Sequence, residues 1–259
     1  MDPGTRPEHA PVSGVVVVLL VDFLASKKSW GWMKLAQGAS NLKQLPGLLF
    51  SKVMGSGHEG GFGLRPSSTH QGLVLLFDTR ANAQTFLDSD IAIQYKEHAR
   101  EWWSGTLVID SSRGEWNAVS WAPTDLSKEN LKGLSHDSTL VATLTRASIR
   151  PASALAFWRY APQAQADLSN ASGCVLAMGL GEAPLVRQCT FSVWRDTQSM
   201  LNYAQGGAHR TAIQAAYKHT FFSESMFVRM RVLSMAGVWK GIYYPHQPSM
   251  QKPYEVAHA

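Results

Sequence analysis

Cysteine is scarce: Cys174 and Cys189 are the only two in 259 residues. That excludes a disulfide framework and a four-cysteine zinc or iron–sulfur centre. Charge is scarce too, since Asp, Glu, Lys and Arg make up 17% of the chain, against about 25% in an average soluble protein. The net charge of +5 is scattered, with no basic run longer than Lys27-Lys28, so no nucleic-acid partner is expected. Long apolar runs are missing. The longest aliphatic stretch, Val15–Val21, ends at Asp22, whereas a spanning helix needs about 20 residues. Met1–Gly14 does not read as a signal peptide, because it carries Asp2, Glu8 and three prolines and no small-residue cleavage site follows. The expected location is the cytoplasm, with peripheral contact to a membrane left open. Hydrolytic and nucleotide signatures are absent as well: no Ser-His-Asp order and no H-E-x-x-H. Gly55, Gly57 and Gly60 approach G-x-G-x-x-G, but they lead to Pro66 and a strand rather than a helix, which excludes a phosphate cradle.

What the chain has is bulk. Hydrophobic residues are 45%, with nine Trp and ten Phe. Rings of that size need a dry interior, so a large core or an apolar pocket is expected. At about 150 residues per domain the length suits one large or two small domains.

Periodicity and punctuation give an order of elements. Residues 15–24 read as a buried strand, Trp30–Asn41 as a helix, Leu48–Met54 as a strand, and Gly55–Ser68 as a glycine-rich loop. Gly72–Phe77 is a third strand. Arg80–Arg100 is helical with a break at Asp88-Ser89-Asp90, and Thr106–Ser111 is a fourth strand. This β-α-β-β-α-β order is ferredoxin-like, and it recurs. Thr139–Ile149, a helix from Ala152 towards Asn170, Cys174–Leu180, Val186–Trp194, a helix broken at Gly206-Gly207, and Ser225–Leu233 repeat it. At an offset of 117, Phe77 meets Trp194, and Ser89-Asp90 meets Gly206-Gly207. The expected fold is α+β: two tandem ferredoxin-like halves forming a dimeric α/β barrel within one chain, with an apolar pocket between the two sheets. The expected divisions are a disordered tail (1–13), a first half (14–111), a linker (112–137), a second half (138–233) and an aromatic extension (234–259).

Three residues stand out. His209 follows Gly206-Gly207, which allow a sharp turn into a new helix. It shares one helical face with Ala212, Ile213 and Ala216 at i, i+3, i+4 and i+7. A histidine there is either a core residue bonded to backbone groups or a ligand to a flat macrocycle. Its equivalent in the first half is Ala92, so a ligand at this position exists once per chain. His70 precedes the third strand and reads either as a loop histidine or as a second ligand or distal hydrogen-bond donor. Arg146 lies on the same strand face as Leu140, Ala142 and Leu144. An arginine there needs a carboxylate, a propionate or a polarised ligand, or else forms a salt bridge at a barrel rim.

Six stretches carry a resemblance. They are Gly55-Ser56-Gly57 through Phe62, Leu144–Ala147, Gly179–Pro184, Cys189–Trp194, Gly207-Ala208-His209 through Ile213, and Ser225–Val232. Together they resemble the spheroidene monooxygenase family of bacterial carotenoid biosynthesis, over Val15–Leu233. The resemblance implies a haem b protein that uses O2 and electrons from a ferredoxin-type donor to introduce a keto group into an apolar substrate, a carotenoid. It maps His209 to the haem ligand, with Ala212 and Ile213 beside it. His70 and Arg146 become distal or propionate-binding groups. The same architecture is similar to that of haem-dependent aldoxime dehydratases. A haem enzyme that does not use O2, or a non-catalytic haem carrier, is the alternative.

Overall fold

The computed structural model describes residues 11–123, 140–183, 185–245 and 254–255. Most of the expected tail, the later part of the linker, Pro184 and much of the final segment lie outside these residues.

The aliphatic run becomes β1 (Val15–Phe23), every residue of which is buried. Alternation explains this, because successive side chains serve two different cores. Val16, Val18 and Leu20 enter one apolar cluster, and Val15, Val17, Leu19, Val21 and Phe23 enter another. The first half continues with α1 (Lys28–Gln37), β2 (Leu48–Gly57), β3 (Pro66–Phe77), α2 (Arg80–Leu87), α3 (Asp90–Glu97) and β4 (Ala99–Trp116), then a short return strand, β5 (Val119–Ser120). The second half has β6 (Val141–Ile149), α4 (Ala154–Ser169), β7 (Cys174–Ala183), β8 (Arg187–Trp194), α5 (Thr197–Gln205), α6 (Gly207–Lys218) and β9 (Phe222–Trp239). Two short strands, β10 (Ile242–Tyr244) and β11 (Tyr254–Glu255), follow.

Both helix breaks have a capping cause. Ser89 begins α3 as an N-cap, its hydroxyl accepting from the Ala92 amide. Gly206 occupies the same place before α6, and 206 − 89 = 117.

The strand order is β11-β10-β9-β6-β8-β7-β2-β3-β1-β4-β5, and β4 also pairs with β9. Setting aside β5, β10 and β11 at the ends, eight antiparallel strands close into a barrel with helices outside. The two halves meet at unequal seams. β4 and β9 pair over a long register, from Trp103↔Gly237 to Gly114↔Met226. β2 and β7 meet at Gly55↔Gly181, and the Ser56 hydroxyl donates to the Gly179 carbonyl at 2.5 Å. Beside that second seam the Gly61 backbone comes close to both strands. A Cβ on Gly179 would lie 2.4 Å from the Gly61 carbonyl oxygen and one on Gly57 2.5 Å from it, a backbone atom that side-chain rotation cannot move. The glycine-rich stretches 55–57 and 179–181 are therefore barrel-closing elements.

Several strands outrun their sequence signal. β3 begins at Pro66 instead of Gly72 and zips with β2 back to Gly57↔Pro66. β4 continues through polar Arg113-Gly114-Glu115, where a linker was expected, because β9 supplies backbone partners as far as Gly114 and β5 those of Glu115 and Trp116. β9 likewise runs on to Trp239. Trp239 and Tyr244 are buried in the inner cluster, so this part of the expected extension belongs to the barrel.

The expected pocket between the sheets is overturned. Trp103, Phe191, Met178, Leu20, Val74 and Val228 meet inside the barrel with essentially no exposure, within one continuous cluster. The lumen is a packed core.

Candidate functional site

His209 belongs to the helical layer outside the second half. The outward positions of β6 are Val141, Thr143, Thr145 and Ala147. Of these Val141, Thr143 and Ala147 are buried, and Thr145 is exposed although its strand runs between β9 and β8. Helix α6 packs chiefly on α4 and α5. Ala215 and Ala216 of α6 join Phe221 in a small cluster with Ala156 and Phe157 of α4. Ile213 remains 38% exposed, and Tyr217 and Leu155 more so.

His209 sits in the first turn of α6. The chain enters through Gly207 at φ 47°, with the Asp167 carboxylate 3.3 Å from where a Cβ would be. The imidazole lies 4.6 Å from the Tyr203 ring, which in turn lies 5.2 Å from Trp194. Burial holds its pKa below the usual histidine value, which leaves the ring neutral near pH 7. Among the described residues its ring nitrogens have no hydrogen-bond partner. A neutral, half-buried imidazole with an unused nitrogen is in the state that metal ligation needs. Among the described residues no three His, Cys, Asp or Glu side chains gather to hold a bare ion, whereas iron carried in a macrocycle needs only one or two protein ligands. His209 with the small residues of α6 fits a haem on that count.

Arg146 points the other way. It projects into the barrel, almost fully buried, and pairs with Glu224 and with Glu182, the latter at 3.3 Å. Lys52 also reaches Glu182 at 2.6 Å, and the Trp116 indole donates to it at 2.8 Å. Burial alone would raise the Glu182 pKa. The hydrogen bond and charge of Lys52, with Trp116 and Arg146, outweigh it and hold the carboxyl below its usual range. The partners of Arg146 are therefore protein carboxylates, and the sheet separates it from the helix bearing His209.

His70 also faces the lumen, from β3. Counted either way round the barrel, β3 and β6 are four strands apart, so His70 and Arg146 project from opposite walls. The His70 Nδ1 lies 2.9 Å from the Ser67 hydroxyl and 3.4 Å from an oxygen of buried Asp22. Arg100 Nε donates to the other Asp22 oxygen at 2.7 Å. The ring stands edge-on to Trp239 at 5.8 Å. Burial lowers the His70 pKa, and the opposing pull of Asp22 is weaker. A polar cleft of about 290 Å³ opens beside it, lined by Arg65, Ser67, Thr69 and Arg100 among others.

The three singled-out residues thus occupy three places: His209 outside the barrel, and His70 and Arg146 on opposite walls within it. Sequence reading missed their partners Asp22, Lys52, Glu182 and Glu224. Two of these had a signal, since Asp22 is the one acid ending the apolar run and Glu182 stands inside the Gly179–Pro184 stretch. The cysteines are not poised as thiolates. Burial pushes Cys174 up to about 11 and Cys189 higher still.

No protein-family model matches the chain. Among solved structures, an aldoxime dehydratase shares the fold with a TM-score of 0.53 at 9% identity, covering 90% of this chain and 88% of that one. Sequence relatives are much nearer. A spheroidene monooxygenase of Rhodobacter capsulatus is 34% identical over 77% of this chain and 82% of its own. A spheroidene monooxygenase of Rubrivivax gelatinosus is 44% identical over 93% of this chain and 90% of its own. At that identity and coverage the chain belongs to the spheroidene monooxygenase family.

Proposed function

We propose that the protein is a haem-dependent monooxygenase acting on an apolar substrate of the carotenoid class. The observation that carries this is the 44% identity to the Rubrivivax gelatinosus spheroidene monooxygenase over nearly the whole of both chains. The strand orders β2-β3-β1-β4 and β9-β6-β8-β7 support reading the halves as two tandem ferredoxin-like units. The second of these is the one adapted to hold the cofactor.

His209 is the iron ligand in this reading. Burial keeps its imidazole neutral, and Tyr203 fixes the ring plane. Ala212 and Ile213, one turn on, offer a low, apolar wall against which a flat ring can lie. Haem supplies O2 activation when bound, with electrons delivered by another protein, here a ferredoxin-type donor. The chain itself lacks the cysteines for a cluster. His70 and Arg146 are proposed to act from the barrel side, Arg146 by holding Glu182 and Glu224 and so the ends of β7 and β9.

The test is an absorption spectrum of purified protein, before and after dithionite and CO, for wild type and His209→Ala. A carbonyl-shifted Soret band in the wild type and its near-complete loss in a folded His209→Ala protein are expected. Full haem retention with an unchanged ferric spectrum in the variant would remove His209 from this role. Turnover of a carotenoid should require ferredoxin, its reductase and O2 together. Turnover of the true substrate without O2 would overturn the monooxygenase reading and leave the haem assignment intact.

A further inference from the structure

Helix α1 buries one face and presents the other. Trp30, Gly31, Lys34 and Leu35 turn inward: Trp30 packs edge-on to Phe23 and Tyr95 at 5.7 and 5.0 Å and stacks on His98 at 4.5 Å. The opposite face, at helical spacing, is Lys28, Ser29, Trp32, Met33 and Ala36, all exposed. Trp32 is 47% and Met33 45% exposed, and Leu24, just before the helix, is also open. A tryptophan and a methionine side by side on a helix's outer face thus leave about half of their surface to solvent.

The charge along this stretch of chain is of one sign. From Phe23 to Phe50 there is no Asp or Glu, while Lys27, Lys28, Lys34 and Lys43 lie in the same stretch. Lys27, Lys28 and Lys43 are exposed. The neighbouring α3 carries Asp90 and Glu97, so the basic excess belongs to α1 and its flanks. Apolar side chains with an amphipathic indole on a convex helix, ringed by lysines on flexible stems, match an element that lies in the plane of a lipid interface. The indole seats at headgroup level and the lysines meet anionic headgroups. A protein partner would be expected to find a groove or a shaped pocket, whereas a bilayer accepts a convex face.

We infer that α1, with Leu24 before it, is the surface by which this protein docks on an anionic phospholipid bilayer. It lies on the first half, away from α6 and His209. Docking is therefore separable from the haem reading and does not depend on it.

The experiment is co-sedimentation of the full-length protein with vesicles of phosphatidylcholine alone and of phosphatidylcholine with phosphatidylglycerol. Wild type should partition to the anionic vesicles and lose that binding as salt is raised. Trp32→Ser with Met33→Ser, and separately Lys27→Glu with Lys28→Glu, should each weaken it about tenfold or more. Both variants should keep the wild-type circular dichroism and Soret spectrum. Four results would overturn the inference: no binding of wild type to anionic vesicles; undiminished binding by the Trp32/Met33 variant; loss of an acidic ferredoxin complex on lysine reversal without any vesicle binding; or a wild-type dimer that the Trp32/Met33 variant dissolves.

Discussion

The two halves repeat one order of elements and fill their helical layers differently. Under the first half's helices, Val15, Val17, Leu19, Val21, Leu73, Leu75 and Phe77 are wholly buried in one cluster with Phe86, Ala92 and Tyr95. Under the second half's helices the described residues gather in two small clusters, one around Trp194 and Met200 and one around Phe221. Thr145 is exposed, and Leu155, Ile213 and Tyr217 face solvent. The position that holds buried Ala92 in one half holds half-buried His209 in the other. The same place in the layer is filled core in the first half and carries a titratable ring in the second. A duplicated fold can thus vary one copy's chemistry without disturbing the barrel that both copies share.

The largest expected effect tests that asymmetry at its centre. His209→Ala should abolish most haem binding, and the reciprocal Ala92→His should create none. Ala92→His should instead destabilise the fold by about 1–3 kcal/mol, the usual cost of overpacking a full core. Haem titration with denaturant melts checks both. Haem uptake by the Ala92→His protein would mean that the first half's layer is less filled than its burial indicates.

Next in size is Arg146. Its guanidinium is enclosed, with Glu182 and Glu224 against it. Arg146→Leu strands both carboxylates, and breaking a buried pair in this way costs about 3–5 kcal/mol. Because the sheet stands between Arg146 and α6, haem bound per folded molecule should stay near wild type while the denaturation midpoint falls. A large loss of haem at unchanged stability would place Arg146 in the cofactor site.

A smaller contrast sets one aliphatic residue from each layer against the other. Leu19→Ala in the first half should cost about 2–5 kcal/mol, as buried leucines do. Ile213→Ala in the haem-free second half should change stability by about 0.5 kcal/mol or less, since much of the side chain is already in water. Equal costs from urea melts would erase the distinction between the two layers.

The order of elements was legible in the sequence because period and punctuation are local. The apolar run of β1, the polar break at Asp88-Ser89-Asp90 and the paired glycines before His209 each act within a few residues. Strand ends were not legible, because backbone pairing owes little to side chains. Ser112, Arg113 and Gly114 read as linker and pair with β9 across more than a hundred residues. The filled lumen was hidden for a related reason. Alternation tells which faces are apolar, but only the closed barrel shows that Trp103 and Phe191 leave no space between them. At the candidate site, His209 was found from a local signal. The partners of Arg146 lie 36 and 78 residues away in sequence, beyond any spacing rule.

The smallest effect is in pH, and it probes the barrel walls rather than the helical layers. His70 and Glu182 both have pKa values below their ordinary ones, for different reasons. Burial lowers His70, aided by Arg100 and Lys240 and opposed by Asp22 and Glu101. Glu182 is lowered by Lys52, Trp116 and Arg146 against the effect of burial. In each case the unfolded chain takes up its proton at a higher pH than the folded one. Stability must then fall as pH drops through the unfolded value, near 6.5 for His70 and near 4.5 for Glu182. Each contribution is fully present above those values. Denaturant midpoints should therefore decline in two stages, one starting near pH 6.5 and one starting near pH 4.5 and continuing below it. His209, lowered by burial, contributes to the upper stage as well, so His70→Gln should make that stage shallower without removing it and should leave the lower one, and Glu182→Gln should flatten the lower stage after an overall loss of stability. A His70→Gln protein whose upper stage became steeper than wild type would show that His70 is charged in the fold, held by Asp22 as an ion pair. The first-half end of the barrel would then resemble the Arg146 cluster.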